Sequence, residues 1–115
     1  MNPSQAISAF YSGYVDFNSR TSRPGFWWTV LYLVAVYVVL GLLASVSTVF
    51  SGVLVTLWFL AHVLPSVALA VRRLHDIGRS GLWLLLGFVP FGGLVLLVFY
   101  ILPSERHAND WGPRP

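Results

Sequence analysis

The chain has no cysteine and few charged residues, and all seven of its basic residues are arginine. Without cysteine it can form no disulfide, no thiolate metal site and no thiol nucleophile. Only 10% of the 115 residues are charged, whereas a soluble domain carries about 25%. A surface built to face water is therefore excluded, and the length fits a single domain, residues 1–115.

The basic residues do not form a surface that would bind nucleic acid. The formal net charge is +3, but the arginines flank apolar segments instead of gathering on one face with aromatic residues between them. We therefore expect no nucleic-acid partner.

Apolar residues make up 57% of the chain and are arranged in long blocks. A block of about 20 apolar residues is the length that crosses a bilayer as a helix. The pattern predicts an all-α integral membrane protein with about three transmembrane helices, at 26–45, 52–71 and 82–102. The first connection is short and uncharged, which favours an antiparallel hairpin of the first two helices.

Arginine and tryptophan mark the predicted membrane boundaries. Arg20 and Arg23 precede the first apolar run, Trp27 and Trp28 stand at its start, and Trp83 stands at the start of the third. Tryptophan is enriched at the interface between membrane and water, and arginine in cytoplasmic loops. We interpret these five residues as juxtamembrane anchors.

The segments at the two ends of the chain are short. Aromatic side chains recur at helical spacing over residues 4–17, behind Ser4 as a cap, which predicts an amphipathic interfacial helix. A flexible tail is the alternative. Residues 1–18 contain no basic residue, so no cleavable signal peptide is expected. Residues 103–115 are polar and rich in proline, and we expect them to be extended at the membrane surface.

Two features interrupt the apolar runs. His62 lies near the middle of the second run, one turn before Pro65, which should kink the helix. An ionisable residue at this depth is a functional-site hypothesis, and a neutral imidazole bonded to a neighbouring helix is the alternative. The third run contains GFVPFGG at 87–93, which favours a kinked crossing helix over a re-entrant hairpin that turns at Pro90.

A polar loop at 72–81, with the sequence RRLHDIGRSG, carries the densest set of ionisable side chains. If the second helix continues into it, Asp76 can pair with Arg72 or Arg73. Gly78 can then end that helix, and the following serine can cap the next one. The candidate residues of this loop are Arg72, Arg73, His75, Asp76, Arg79 and Ser80.

Three interpretations of this loop are open. In the first, its residues only pair, end and cap helices. In the second, its arginines, His75 and backbone amides bind an anion, which at a cytoplasmic leaflet is a phospholipid headgroup. The third makes His75 a general base oriented by Asp76, but adjacent helical residues point in different directions, which argues against it.

The segments FNSRTSRPGFWW, RRLHDIGRSGLW and NDWGPRP together resemble the DUF805 family of small bacterial inner-membrane proteins. The resemblance covers residues 17–115 and implies a location and a membrane fold without an assigned activity. The family usually has glycine in place of Ser19 and glutamate in place of Gly25. The absent glutamate argues against a bridge between this first segment and the polar loop, and leaves Asp76 and Asp16 as the available carboxylates.

The arginine distribution predicts the orientation of a multi-pass protein in the bacterial inner membrane. Two arginines precede the first run and three lie in the 72–81 loop, so we expect the N-terminus and this loop in the cytoplasm. With three crossings the tail lies outside, whereas a re-entrant third segment would bring it inside.

The sequence contains no catalytic or metal-binding motif, and we expect no enzyme activity, metal or cofactor. An enzyme that modifies lipid is the alternative, but no nucleophile, base or metal cluster for it is visible. The leading hypothesis is a noncatalytic accessory or interaction module whose arginine-rich loop contacts anionic lipid or a partner. The alternative is a small transporter or channel component that uses His62 and the interrupted third segment. Gly87, Gly92 and Gly93 would permit close helix approach in a homo-oligomer or a larger membrane complex.

Overall fold

The computed structural model describes all 115 residues, and its regular structure is entirely helical. The four α-helices are α1 (Pro3–Ser12), α2 (Arg23–Leu42), α3 (Thr48–Asp76) and α4 (Gly92–Ile101). A 3-10 turn at Leu43–Ser45 extends α2, and a 3-10 helix occupies Gly81–Phe88 between α3 and α4. The predicted all-α class is confirmed.

Helices α2 and α3 form the predicted antiparallel hairpin. Ser22 caps α2 with Pro24 in its first turn, and Ser47 caps α3. Near the connection, the Ser51 hydroxyl donates to the Leu40 carbonyl at 2.8 Å. At 1.5 Å per residue α2 is about 30 Å long and α3 about 44 Å, so each can cross a bilayer core of about 30 Å.

The outer surfaces of these two helices are apolar and unburied. Both pass the length and hydropathy criteria for a membrane span, yet only 11% and 22% of their most apolar 18-residue stretches are buried. The core helix of a soluble protein would be mostly buried, and exposed apolar patches of this size are rare in water. The chain therefore has two helices suited to lie in a bilayer.

Helix α3 is longer than the predicted second span. It continues without a break from the apolar region through Asp76, so residues 72–76 of the predicted polar loop are helical. The predicted bound of the membrane span at residue 71 stays a prediction, and the loop between α3 and the 3-10 helix is only residues 77–80. The pairing of side chains across the last turn of α3, described below, explains the extension.

The N-terminal helix α1 is shorter than the predicted segment 4–17. Its cap is Asn2, whose side chain accepts from the Gln5 amide while Gln5 bonds back to the Asn2 amide, so Ser4 is not the cap. Phe10 of α1 is buried with Phe26 of α2 and Leu69 of α3. This contact holds α1 against the first turns of α2, and its placement in the headgroup region stays a prediction.

The third apolar run folds back on itself instead of crossing once. The 3-10 helix and α4 are joined by residues 89–91, and they pack against each other. Phe91 takes a left-handed conformation with φ 63° after Pro90, which reverses the chain. Each arm is about 15 Å long, half of a bilayer core. We call residues 81–101 the short hairpin.

Both ends of the short hairpin lie beside the C-terminal end of α3. At its start Gly81 lies against the Val71 side chain, and at its end the Tyr100 and Leu102 carbonyls accept hydrogen bonds from Arg73. The predicted kinked crossing of residues 82–102 is therefore wrong, and the alternative, a hairpin that turns at Pro90, is what the structure contains. The C-terminal tail consequently lies at the same end as the N-terminal segment.

The turn of the short hairpin leaves no room for a side chain at Gly92. A Cβ at Gly92 would lie 1.7 Å from the Leu86 carbonyl oxygen, whereas a Cβ at Gly93 would have no neighbour within 4 Å. We expect Gly92→Ala to destabilise the protein in detergent by about 1–3 kcal/mol, because the backbone must move apart. Gly93→Ala is the matched control and should not lower the melting temperature. Equal stability of the two variants would contradict this packing.

Candidate functional site

All charged side chains of the protein are gathered at one end. The seven arginines and four acidic residues lie within residues 16–23, 72–79 and 105–114, and none lies in between. These three stretches meet where α2 begins and α3 ends, whereas the connection between α2 and α3 at the opposite end carries no charge. We call this assembly the charged end.

The centre of the charged end is a buried carboxylate. Asp76 is fully buried; its Oδ1 accepts from Arg20 Nε at 3.1 Å and its Oδ2 from Arg73 Nη1 at 2.8 Å. The Ser104 hydroxyl also donates to Oδ2. We call Asp76, Arg20, Arg73 and Ser104 the Asp76 cluster. Because the family's usual glutamate is replaced by Gly25, the sequence argued against an ion pair between the segment before α2 and the polar loop. The structure does contain such a pair, in which the segment supplies the cation, Arg20, and the loop supplies the anion, Asp76.

Arg20 connects the C-terminal tail to the end of α3. Besides the Asp76 carboxylate, its guanidinium donates to four backbone carbonyls: those of Asp76 (3.3 Å), Glu105 (2.9 Å), His107 (2.8 Å) and Gly112 (3.1 Å). With Nε included, all five N–H groups of a guanidinium are used. The Glu105 amide in turn donates to the Asp76 carbonyl at 2.9 Å. Arg20, predicted as a juxtamembrane anchor, is buried, and its location at a membrane boundary stays a prediction.

Arg73 holds the returning arm of the short hairpin. Its Nε donates to the Tyr100 carbonyl at 3.1 Å, and its Nη2 donates to the Leu102 carbonyl. The last carbonyls of a helix lack partners within the helix, and here the guanidinium supplies them for α4. The ion pair with Asp76, three residues along α3, keeps the guanidinium in place. Of the two predicted pairs within α3, this one is confirmed.

Arg72 binds the N-terminal segment instead of pairing with Asp76. Its Nη1 donates to the Gly13 and Asp16 carbonyls at 2.7 and 2.9 Å, and its Nε donates to Thr21 Oγ1 at 3.1 Å. The Thr21 amide donates to the Arg72 carbonyl at 3.0 Å. Arg72, like Arg73, is buried with its side chain directed at protein oxygens.

His75 supports the tail through an aromatic stack. Its ring lies 4.3 Å from the Trp111 ring, nearly parallel at 8°, and its Nδ1 donates to the Ser19 carbonyl at 3.0 Å. The Asn109 amide donates to the His75 carbonyl at 2.8 Å. No hydrogen bond joins His75 to Asp76, so the base-and-orienter pair considered from the sequence is not formed.

The remaining loop residues end one helix and begin the next, as predicted. Gly78 has φ 78°, the left-handed conformation that follows α3, and Ser80 Oγ accepts from the Leu82 amide at 3.1 Å to cap the 3-10 helix. The Arg79 guanidinium lies 4.9 Å from the centre of the Trp83 ring and is exposed. A Cβ at Gly78 would also collide with the Glu105 carboxylate, which shows how closely the tail covers this turn.

Two of the predicted anchors also bind the short hairpin. Trp27 Nε1 donates to the Tyr100 carbonyl at 3.2 Å, and Arg23 Nη1 donates to the Ile101 carbonyl at 3.3 Å. Arg23 and Trp28 are otherwise exposed. Their location at a membrane interface stays a prediction.

His62 has both ring nitrogens engaged within the chain. Nδ1 donates to the Trp58 carbonyl at 2.8 Å, and Nε2 lies 2.9 Å from the Tyr11 hydroxyl, which itself bonds to Tyr32 at 2.6 Å. The interpretation of His62 as an imidazole bonded to a neighbouring helix fits this geometry, with a tyrosine of α1 as the partner. Nearby, the Tyr14 hydroxyl donates to the Ala61 carbonyl that Pro65 leaves without a donor.

The residues that sequence reasoning missed lie mainly in the tail. Ser104, Asn109 and Trp111 all bind the end of α3, although the tail was expected to be extended at the surface. The closing sequence NDWGPRP was the available signal, since Asn109 and Gly112 form a tight reversal with mutual backbone hydrogen bonds of 3.0 Å. Composition alone could not show that this reversal closes on Arg20.

Comparison with known proteins now places the chain. A family model described as "Protein of unknown function (DUF805)" matches residues 14–113. The chain belongs to the DUF805 family. Within the DUF805 match lie residues 14–22 before α2, the end of α3, the short hairpin and the tail as far as residue 113, which are the parts that the Asp76 cluster joins.

Two curated relatives from Escherichia coli strain K12 are similar over most of their length. Inner membrane protein YhaI is 41% identical over 103 residues, covering 89% of this chain and 87% of its own. Inner membrane protein YhaH is 36% identical over 107 residues, covering 89% and 88%. No solved structure matches. The DUF805 chain is therefore similar to inner-membrane proteins over nearly its whole length.

The Asp76 cluster predicts a large loss of stability on neutralising one residue. Asp76→Asn leaves two buried guanidinium groups without their carboxylate, and breaking such a buried pair costs about 3–5 kcal/mol. We expect the midpoint of the unfolding transition, measured with the protein in detergent, to be correspondingly lower. Asp110→Asn, which changes the charge equally at an exposed residue outside any ion pair, should be neutral. If Asp76→Asn unfolds at the wild-type midpoint, the cluster does not hold the fold together.

The carboxylate of Asp16 should stabilise the fold in a pH-dependent way. Partial burial opposes its ionisation, but hydrogen bonds from the Ser19 hydroxyl and the Asn18 and Ser19 amides, with the charge of Arg72, lower its pKa below the ordinary value. A lowered folded-state pKa stabilises the fold above the unfolded value, about 3.9, and this is lost as pH falls through the folded value. Asp16→Asn should therefore melt below wild type at pH 7, with the gap closing below about pH 4. A gap independent of pH would contradict this assignment.

Proposed function

We propose that this DUF805 protein is a noncatalytic membrane module whose charged end contacts anionic phospholipid headgroups at the cytoplasmic face. Two crossing helices anchor it, and the short hairpin enters the same leaflet from that end. Relatives named only as inner membrane proteins supply a location and no activity, so the proposal rests on the geometry of the charged end.

One observation carries the proposal: the arginines divide into two classes. Three are buried and donate to carboxylate and carbonyl oxygens of the chain: Arg20, Arg72 and Arg73. Four are exposed and have no carboxylate within 4.0 Å: Arg23, Arg79, Arg106 and Arg114. The buried class is surrounded by oxygens of the chain, so the exposed class, in which Arg23 makes one hydrogen bond to the chain, is the one available to a ligand or partner.

The exposed arginines lie on the charged end, which also holds the entire formal net charge of +3. An anionic leaflet attracts a basic group near its surface by about 1 kcal/mol per arginine. Of the headgroup site predicted at residues 72–81, the structure leaves Arg79 exposed, while Arg72, Arg73 and His75 face inward. The proposed lipid contact therefore moves from that loop to arginines of all three charged stretches.

The same distribution supports the orientation. Because the short hairpin returns to its starting side, the N-terminal segment, the loop and the tail share one end with all seven arginines, and the other end has none. Positive residues in short segments favour the cytoplasmic side. We propose that the charged end is cytoplasmic and that both chain termini lie there.

A noncatalytic role is supported by the use of the polar side chains. The guanidinium groups and the carboxylate of the Asp76 cluster are bonded to one another and to the backbone, as is His62 to its neighbours. Association with a second copy or a larger membrane complex is part of the proposal. Gly92 packs inside the short hairpin, whereas Gly93 has open space around it and could meet another helix.

Lipid selectivity tests the proposal. The full-length protein is purified in mild detergent and offered an equimolar mixture of phosphatidylglycerol and phosphatidylcholine with identical acyl chains, and the retained lipids are quantified by mass spectrometry. We expect phosphatidylglycerol to be enriched about tenfold, a free-energy difference of about 1.4 kcal/mol. The enrichment should fall with added salt, because exposed charges are screened.

The matched variants replace all four exposed arginines with glutamine or with lysine. The glutamine variant should lose the enrichment, and the lysine variant should keep most of it, since the charge is conserved. Equal retention of both lipids by the wild-type protein would overturn the proposed function.

A further inference from the structure

A half-open cleft of about 530 Å³, which we call the cavity, lies between the first turn of α2 and the end of the C-terminal tail. Its walls include Ser22 and Arg23 before and at the start of α2, and Ser104 and Arg114 from the tail, with the chain's terminal residues completing the lining. No acidic side chain lines it. The volume is within the range of small-molecule sites, about 300–1,000 Å³.

The two arginines of this cavity have unused hydrogen-bond capacity. Arg23 makes one hydrogen bond, to the Ile101 carbonyl at 3.3 Å, and Arg114 makes none within the chain. Neither is in an ion pair. A guanidinium has five N–H donors in a planar fork that matches the oxygens of a phosphate. Two such groups on one acid-free cavity favour a phosphate ligand.

An apolar groove continues from the cavity along α2. It is lined by Pro24, which also lines the cavity, and then by Trp27, Trp28 and Leu31. These positions follow α2 for two turns, about 10 Å, from the charged end into the membrane-spanning part. Trp28 and Leu31 are 38% and 58% exposed, so the groove is open to surrounding lipid.

The cavity and the adjoining groove match the two parts of a phospholipid, its charged headgroup and its apolar acyl chains. The cavity offers guanidinium groups to a headgroup phosphate, and the groove that leads from it along α2 offers tryptophan rings and a leucine to an acyl chain. A free phosphate ion would use only the cavity. A neutral hydrophobic ligand would use only the groove.

We infer that this cavity and groove form a specific site for one anionic glycerophospholipid. Arg23 and Arg114 bind its phosphate, and Trp27, Trp28 and Leu31 contact an acyl chain. The inference rests on the proposed headgroup contact and sharpens it, since it assigns the tightly held lipid to two of the four exposed arginines. Arg79 and Arg106 then contribute only general attraction to an anionic leaflet.

Native mass spectrometry of the full-length protein in detergent tests the site. Phosphatidylglycerol is titrated onto the wild-type protein, onto a variant with Arg23→Gln and Arg114→Gln, and onto a control with Arg79→Gln and Arg106→Gln. The two variants lose the same charge. We expect the first pair to weaken binding of the first lipid at least tenfold, and the control pair to change it by less than twofold.

The outcomes separate this inference from the proposed function. The specific site is overturned if both double variants weaken binding equally, or if the Arg23 and Arg114 variant does not weaken it. In that case the proposed headgroup contact still stands, provided that the wild-type protein selects phosphatidylglycerol. Absence of that selectivity in the wild-type protein overturns both. Displacement of the lipid by millimolar inorganic phosphate would also overturn the site, because it would show that the groove contributes nothing.

A second variant examines the groove without changing the charge. Trp28→Ala with Leu31→Ala removes two exposed side chains, and we expect a several-fold loss of phosphatidylglycerol affinity. Unchanged affinity would overturn the acyl-chain part of the inference. Circular dichroism and size-exclusion elution volume are measured for every variant, with Arg23→Lys and Arg114→Lys as charge-conserving references. These measurements test whether a variant that loses lipid has also lost its fold.

Discussion

The ion pairs of Asp76 with Arg20 and Arg73 are the interaction on which the rest of the structure depends. Removing these groups from water costs roughly several kcal/mol per ion, and only a complete set of partners offsets that cost. The partners come from three parts of the chain: the segment before α2, the last turns of α3 and the tail after the short hairpin. The chain ends and the hairpin are therefore brought together at one end of the molecule because a buried carboxylate and two guanidinium groups require one another.

Around this cluster, arginine performs two separate jobs. A planar guanidinium with five donors can satisfy several backbone carbonyls at once, which suits Arg20, since it holds the tail, and Arg73, since it holds the end of α4. The arginines that lack such a set of partners are exposed. The RRLHDIGRSG motif at 72–81 thus lies mainly in the interior of the charged end. The surface that a lipid would meet is formed by arginines from different segments.

The bilayer explains the form of the apolar part. Backbone groups in hydrocarbon must be bonded internally, so irregular backbone survives only where protein supports it. The turn of the short hairpin is bonded internally, since the Val89 and Gly92 amides donate to the Leu86 and Val89 carbonyls at 3.0 and 2.8 Å. The carbonyl that Pro65 frees at Ala61 receives the Tyr14 hydroxyl. Hydrogen bonds within the chain thereby compensate both irregularities of the apolar part.

The sequence by itself determined the helical class, the two long apolar helices, the stop at Gly78 and the cap at Ser80, because these follow from local periodicity, length and turn preference. Only the tertiary structure decided that the third run folds back, that Arg20 and not Arg72 pairs with Asp76, and that the tail packs on His75 through Trp111. These contacts join residues that are separated by 56 positions or by 34–36 positions along the chain. Sequence spacing carries no information on contacts at such separations. The small residues and proline of 87–93 were compatible with both a kink and a reversal. The bonds that Arg73 makes to the returning arm select the reversal.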